Sequence, residues 1–434
     1  MKIKSCLILL TLIFSQFCIA ADLSEIEDKI AKQISIKLPD SIKLLEEVVN
    51  INSGTMNLDG VRAVGTRLQN EFDQLGFDTQ WISGESFDRA GHLLASHSTG
   101  QENKPNILMI GHLDTVFAQD DEFQKFTKID DRYSTGPGVT DMKGGNLIIL
   151  SAVRALKELD LLSEINIRVI LTGDEERSGR PLADSKKAII DAAQWADIAL
   201  GFEDGDSNIK TAVIARRGSV SWQLDVVGKP AHSSQIFKPE IGFGAVFEMA
   251  RILNEFRVQL AGVGELSFNP SMIIGGTSTE YDKASSSGNA FGKSNVIAKT
   301  AMTTGGIRAL TPQELANAKA VMQKITSQNL AQTSATLTFD EGYPPMAPTQ
   351  GNKKLLNLYS EVSVALGYGP VIAVNPRNAG AADISFTSGL VEMALDGLGL
   401  MGAGGHTRDE VADMSSFEKN SQKAAILLHR LTLQ

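Results

Sequence analysis

The sequence predicts an α/β fold in two parts. A larger domain, residues 39–214 and 343–434, has a mostly parallel sheet between helices. An α+β domain, residues 215–342, is inserted into it. Three observations carry this expectation. Residues 106–111 (NILMIG), 165–172 (INIRVILT) and 196–202 are short apolar runs, as strands buried on both faces are. Helical segments separate them, and strand–helix–strand alternation implies parallel pairing. From about residue 215 the pattern turns to alternation, and it turns back near Pro344-Pro345.

Residues 1–20 read as a secretory signal, with Lys2 and Lys4 first, an apolar run from Leu7 to Phe14, and Ala20 before a cut at Ala21. That run is short for a membrane span, and no later stretch is long and apolar enough to cross a bilayer. Export to the periplasm or the medium is therefore expected. Both cysteines, Cys6 and Cys18, fall inside the signal. The mature chain then has no disulfide and no thiolate ligand, so any metal is held by His, Asp and Glu.

Residues 22–38 mix charges with apolar side chains and read as a loose leader helix. Val61, Val64, Leu68, Phe72 and Leu75 recur at helical spacing, and residues 144–159 form a helix entered through glycines. In the inserted part, residues 219–227 alternate like a half-exposed strand and 244–256 are an amphipathic helix. Residues 275–292 are a Gly/Ser/Thr-rich hairpin or loop. Pro312 opens another helix with Thr311 as N-cap, and 333–339 is a further strand. Residues 415–431 close the chain as a helix. The formal charge of -10 argues against nucleic-acid binding, which needs a basic surface, and no Lys/Arg run suggests a membrane patch.

Four segments bearing acidic residues or histidine follow or flank the apolar runs, where ligands bind in open α/β sheets. In Gly111-His112-Leu113-Asp114, the aspartate is placed to orient the imidazole; a locally bonded strand-end histidine is the alternative. Asp141 stands among glycines (GPGVTDMKGG) just before a helix, where it is either a ligand or an N-cap. Asp174, Glu175 and Glu176 follow a buried strand; they are a solvated turn, or they gather a cation that offsets their repulsion. Glu203-Asp204 follows the third run. A fifth segment sets His406 among glycines near the C-terminus, whereas His92, His97 and His429 read as surface residues. Two histidines and several carboxylates without cysteine suit zinc in a hydrolytic site, with Co or Mn as substitutes.

These segments, in order, resemble the dinuclear zinc exopeptidase family of glutamate carboxypeptidase, aminoacylase, acetylornithine deacetylase and succinyl-diaminopimelate desuccinylase. The motifs are GHLDTV, GPGVTDMKGG, TGDEERSG, GFED, VVGKPAHSS and GGHTRDE, and they span nearly all of the mature chain. The glutamate carboxypeptidase branch is the most similar. The resemblance implies one zinc on His112, Asp141 and Glu203, and a second on Asp141, Glu176 and His406. It implies Glu175 as general base, Asp114 orienting His112, and a cis peptide bond after Asp141. The inserted domain resembles a dimerisation or lid domain. His232 matches a histidine that reaches the partner's site in a homodimer, and Asn295 and Arg308 match substrate-binding positions. The implied substrate is a small peptide or acyl-amino acid.

Ala298, Gly306 and the run Gly380-Ala381-Ala382-Asp383 depart from the family pattern on the substrate side and leave every implied ligand intact. Three readings follow: a carboxypeptidase releasing C-terminal glutamate or a similar residue, a deacylase or dipeptidase of the same chemistry, and an exported binding protein without catalysis.

Overall fold

The computed structural model describes residues 22–433; the expected signal, with Cys6 and Cys18, lies outside them. The first helix, α1 (Glu25–Val49), corrects the expected loose leader. Ser24 and Glu27 form a capping box at its start, and Ile30, Ala31 and Ile34 are buried. It packs on the last helix, where Gln422 Nε2 donates to Ala31 O at 3.2 Å and Arg430 pairs with the buried Glu27 at 2.5 Å. Charges at neighbouring positions mask an apolar stripe that recurs at helical spacing.

The main sheet has six strands in the order β1-β2-β4-β3-β5-β12. They are β1 (Asp78–Ser83), β2 (Gly91–His97), β3 (Asn106–His112), β4 (Asn166–Thr172), β5 (Ile198–Gly201) and β12 (Met393–Leu395). β3 is parallel to both β4 and β5, and β5 to β12, while β1 and β2 run antiparallel at one edge. The period of two assigns each strand residue to a face. Ile107, Met109, Val169, Leu171 and Leu200 join one core with α2 (Leu58–Gln74), α3 (Gly144–Glu158) and α8 (Ser415–Leu431). Leu108, Ile110, Ile170 and Ala199 face α4 (Lys187–Trp195) on the other side. Burial on both faces explains why these strands read as unbroken apolar runs.

The second unit has its own core. Its sheet runs β7-β10-β6-β11: β6 (Val220–Gly228), β7 (Ser267–Gly276), β10 (Thr300–Arg308) and β11 (Thr333–Asp340), all antiparallel neighbours. Val220, Trp222, Leu224 and Val226 point toward α5 (Gly244–Leu260) and α6 (Pro312–Thr326), meeting Met249, Ile252, Phe256 and Met322. Ser221 and Val227 lie on the open face, so this strand alternates. Thr311 caps α6, accepting from Glu314 N at 3.1 Å. The Gly/Ser/Thr-rich stretch is a hairpin, β8 (Ser278–Asp282) with β9 (Ser287–Phe291). The chain returns to the first unit through α7 (Gln350–Ala365). Among the described residues, no helix is long and apolar enough to cross a membrane.

Under α8, Lys423 is fully buried, its Nζ donating to Ile209 O at 2.9 Å above the Tyr359 ring. Burial, with Lys419 nearby, lowers its pKa to about 7 from an ordinary 10.5. Between those values the unfolded chain holds a proton that the folded chain lacks, so this lysine makes stability rise with pH. Lys423→Met is expected to flatten that rise. Melting curves of both proteins from pH 7 to pH 10 check it, with the difference in Tm shrinking as pH rises.

Candidate metal centre

Parallel pairing of β3, β4 and β5 puts three carboxyl ends at one edge. His112 ends β3 and stands beside Thr172 at the end of β4; Glu175 and Glu176 follow β4, and Glu203 follows β5. Asp141 precedes α3, in a tight turn entered through Gly138 at φ +73°. Gly145 lets α3 start hard against β5, because a Cβ there would lie 2.0 Å from Phe202 O. His406 comes from a glycine loop and itself holds φ 64°, uncommon outside glycine.

His112 Nε2 lies 3.0 Å from Asp141 Oδ1 and 3.6 Å from Glu203 Oε1. His406 Nε2 lies 3.0 Å from Asp141 Oδ2 and 3.1 Å from Glu176 Oε2. In each triad, His112–Asp141–Glu203 and Asp141–Glu176–His406, the ligand atoms lie within 4.8 Å of one another. Asp141 belongs to both, giving one oxygen to each. Imidazole and carboxylate donors without thiolate suit a borderline divalent ion.

The electrostatics fit two cations. Glu176 Oε1 is buried with no hydrogen-bond partner. Burial, then the charge of Asp141, pushes Glu203 well above the carboxylate range. Burial also raises Glu176, despite its bond with His406. Asp204 beside them is pushed up to about 7 by burial and by Asp141. Burial opposes ionisation of Asp141 too, but its bonds with His112 and His406 outweigh this and hold it below its ordinary range. The hydrogen bonds to Asp141 and Glu176 raise His406 to about 11. A divalent ion competes with such protons.

Glu175 belongs to neither triad. Burial, opposed by His112 and reinforced by Asp383, Glu176 and Asp141, raises its carboxyl well above the ordinary value. Its backbone is held at both its N–H and its carbonyl. Asp114 accepts from Glu175 N at 3.0 Å, Glu176 N at 3.1 Å and Thr55 Oγ1 at 2.6 Å. Tyr343 Oη donates to Glu175 O at 2.9 Å. Asp114 also orients His112, mainly through its backbone carbonyl at 3.0 Å from Nδ1, with the carboxylate at 3.4 Å.

Several supporting residues were not singled out from the sequence. Glu410 is buried and accepts from Gly138 N, Thr140 N and Asp141 N at 2.9, 2.8 and 3.2 Å, holding the Asp141 turn. Only its position four residues after His406, in GGHTRDE, hints at this. The Asp141–Met142 peptide bond is cis. Lys186 is fully buried between Asp174 at 2.9 Å and Asp383 at 3.1 Å, under the Tyr343 ring.

The remaining expected residues lie on the second unit. His232 pairs in a bridge with Val296, and Ser233 N donates to Asn295 O at 2.9 Å, so His232 and Asn295 are neighbours there. Arg308 ends β10. All three side chains are exposed, and among the described residues none bonds to the five ligand side chains. The reading of three histidines as surface residues is corrected. His92 is buried, stacked on Phe87, with Nε2 2.9 Å from Ser185 O and Nδ1 accepting from Gly173 N. His97, bonded to Leu162 O, and His429 are half-buried. An apolar ring face fits a core when both nitrogens find partners.

Residues 108–430 match Peptidase family M20/M25/M40. The chain belongs to this family. It is a metallopeptidase-type hydrolase, with the donor set of a dinuclear metal centre. Among curated relatives, Carboxypeptidase G2 of Pseudomonas sp. (strain RS-16) is 26% identical over 392 residues, 90% of this chain and 89% of that protein. A probable succinyl-diaminopimelate desuccinylase of Staphylococcus epidermidis is 28% identical over 52% of this chain and 53% of its own length. An aminopeptidase structure from Bacillus cereus shares the fold with a TM-score of 0.70 at 17% identity, covering 91% of this chain and 98% of the other. A Bacillus subtilis structure titled a dinuclear metal binding peptidase from M20 family superposes with a TM-score of 0.63 at 14% identity, over 92% and 99% of the two chains.

Removing Lys186 leaves two buried carboxylates unpaired behind Glu175. Lys186→Met is expected to cost about 3–5 kcal/mol of stability, and Lys186→Arg less. Denaturant unfolding checks this; an unchanged midpoint for Lys186→Met would show that the triad contributes nothing.

Proposed function

We propose that the protein is a zinc-dependent exopeptidase that hydrolyses a terminal amide bond and releases a C-terminal glutamate or similar amino acid. The observation that carries this reading is the placement of Glu175 beside two triads that share Asp141. The likeness to Carboxypeptidase G2 spans 89% of that relative, whereas the desuccinylase match spans 53%, which favours the carboxypeptidase reading over the deacylase one. A binding protein without catalysis has no need to retain the Glu175 carboxyl.

His112, Asp141 and Glu203 would hold one ion, and Asp141, Glu176 and His406 the other. Such ions supply Lewis acidity toward a carbonyl and bring the pKa of water toward neutrality. Glu175, its backbone held by Asp114 and Tyr343, accepts the proton of the attacking water and delivers it to the leaving amine. His232 donates to the developing oxyanion. Arg308 holds the substrate's terminal carboxylate and confines cutting to the end of the chain.

We further propose that His232 acts across a homodimer formed by the inserted domain. Phe237 and Phe247 are more than half exposed there, and Phe237 packs against both Phe243 and Phe247, an apolar surface of the kind that partners cover. Export through residues 1–20 completes the proposal.

Hydrolysis of a panel of N-acyl and peptidyl amino acids, before and after chelation and zinc restoration, tests the reading. Zinc-dependent release of C-terminal glutamate above neutral and basic residues is expected; zinc-dependent release of others in its place would overturn the specificity. Glu175→Gln is expected to lower kcat by about 10²–10⁴ while metal content is unchanged. Full activity in that variant would remove the assigned base.

A further inference from the structure

The chain crosses between its two units twice, and the crossings are bonded to each other. Residues 216–219 lead out, just before β6, and residues 341–346 lead back, just after β11. Arg216 N donates to Met346 O at 3.0 Å, and Met346 N to Arg216 O at 2.9 Å. Ser219 N donates to Tyr343 O at 2.8 Å. A Cβ on Gly218 would lie 2.7 Å from Pro345 N, and one on Gly342 would lie 2.2 Å from Ser219 O. Packing this close leaves the two crossings little freedom to slide past each other.

From this ribbon the Tyr343 side chain reaches into the first unit. Its ring packs against Phe386, with centroids 5.1 Å apart, and lies 5.5 Å from Lys186 Nζ. Its Oη donates to Glu175 O at 2.9 Å, and Ser178 Oγ lies 3.3 Å from the same oxygen. Burial, then the charge of Asp383, holds the phenol well above its ordinary pKa, so the O–H stays a donor. A second tie runs to the far end of the same turn. Arg180 donates from Nη1 to Glu341 O at 3.0 Å and pairs with Asp340 at 3.5 Å.

The other side of the ribbon leads to Arg308. Gly218 N donates to Ala309 O at 2.8 Å, and the buried Ala309 directly follows Arg308. The bonds Ala309–Gly218, Ser219–Tyr343 and Tyr343–Glu175 thus join the backbone beside Arg308 to that of Glu175. The proposed carboxylate clamp and the proposed base sit on different units, and these contacts set one against the other. Rates depend steeply on such alignment: a displacement of about 1 Å can cost about 10²-fold.

We propose that Tyr343 is a positioning residue that seats the Glu175 turn against the second unit, so that the base meets a substrate anchored on Arg308. This inference rests on the amide-hydrolase reading above and adds to it a residue outside both triads.

Tyr343→Phe keeps the ring and removes only the bonds of Oη. In the full-length, metal-loaded protein, kcat is expected to fall about tenfold, the size of one lost hydrogen bond, with KM changed less than about twofold and metal content unchanged. A double-mutant cycle separates alignment from local support. Tyr343→Phe is expected to cost about tenfold in kcat/KM with Arg308 present and less than about threefold in the Arg308→Met background. Hydrogen exchange gives a readout independent of turnover: the Glu175 and Glu176 amides are expected to exchange about five- to tenfold faster in Tyr343→Phe. Arg180→Met, at a half-exposed position, is expected to act in the same direction and serves if Tyr343→Phe fails to fold. No turnover in the wild type sinks the hydrolase reading, while the exchange measurement still decides whether Tyr343 seats the turn. Unchanged exchange, unchanged kcat, or equal losses in both Arg308 backgrounds overturn the proposal.

Discussion

Asp141 is shared between two imidazoles, 3.0 Å away on either side, and the rest of the site is arranged around that carboxylate. A single aspartate offers one oxygen to each of two triads, so it would hold any two cations bound there close together. It also concentrates negative charge, because Glu176, Glu203, Asp204 and Glu175 lie around it and burial raises each of them. Such a gathering is costly in a folded protein unless cations compensate it. The charge deficit is therefore a property of the fold as well as a clue to function.

The scaffold keeps Asp141 and its neighbours still through backbone contacts. Glu410 accepts three backbone N–H groups of the Asp141 turn, and Asp114 accepts those of Glu175 and Glu176. Asn146 Nδ2 donates to His112 O at 2.6 Å, tying α3 to the end of β3. Behind Glu175, the Lys186 triad anchors the turn to Asp383 in the C-terminal part of the chain. Each device joins segments distant in sequence, so the candidate metal ligands inherit the rigidity of the main sheet. The residues proposed to meet substrate, His232, Asn295 and Arg308, sit instead on the second unit, with its own core and sheet.

The strands β3, β4 and β5 were legible because burial on both faces leaves apolar runs, and β6 because one open face leaves alternation. The two candidate triads were legible because their motifs follow the strand ends. Helix α1 was not, since its stripe of Ile30, Ala31 and Ile34 is interleaved with charges and its partner is some 390 residues away, as the Ala31–Gln422 bond shows. His92 was misread for the same reason: its two partners, Ser185 and Gly173, are brought to it only by the tertiary fold. Lys186 and Glu410 are ordinary charges in sequence, and only burial beside carboxylates or backbone N–H groups gives them meaning. His232, Asn295 and Arg308 were legible as motif positions, yet within one chain the fold keeps them apart from the ligands.

The most direct test of the shared carboxylate is metal stoichiometry, by elemental analysis after dialysis, for the wild type, Glu203→Ala and Asp141→Ala. The account predicts two ions per chain in the wild type, one in Glu203→Ala, and neither retained in Asp141→Ala. One ion in the wild type, or two surviving in Asp141→Ala, would contradict it.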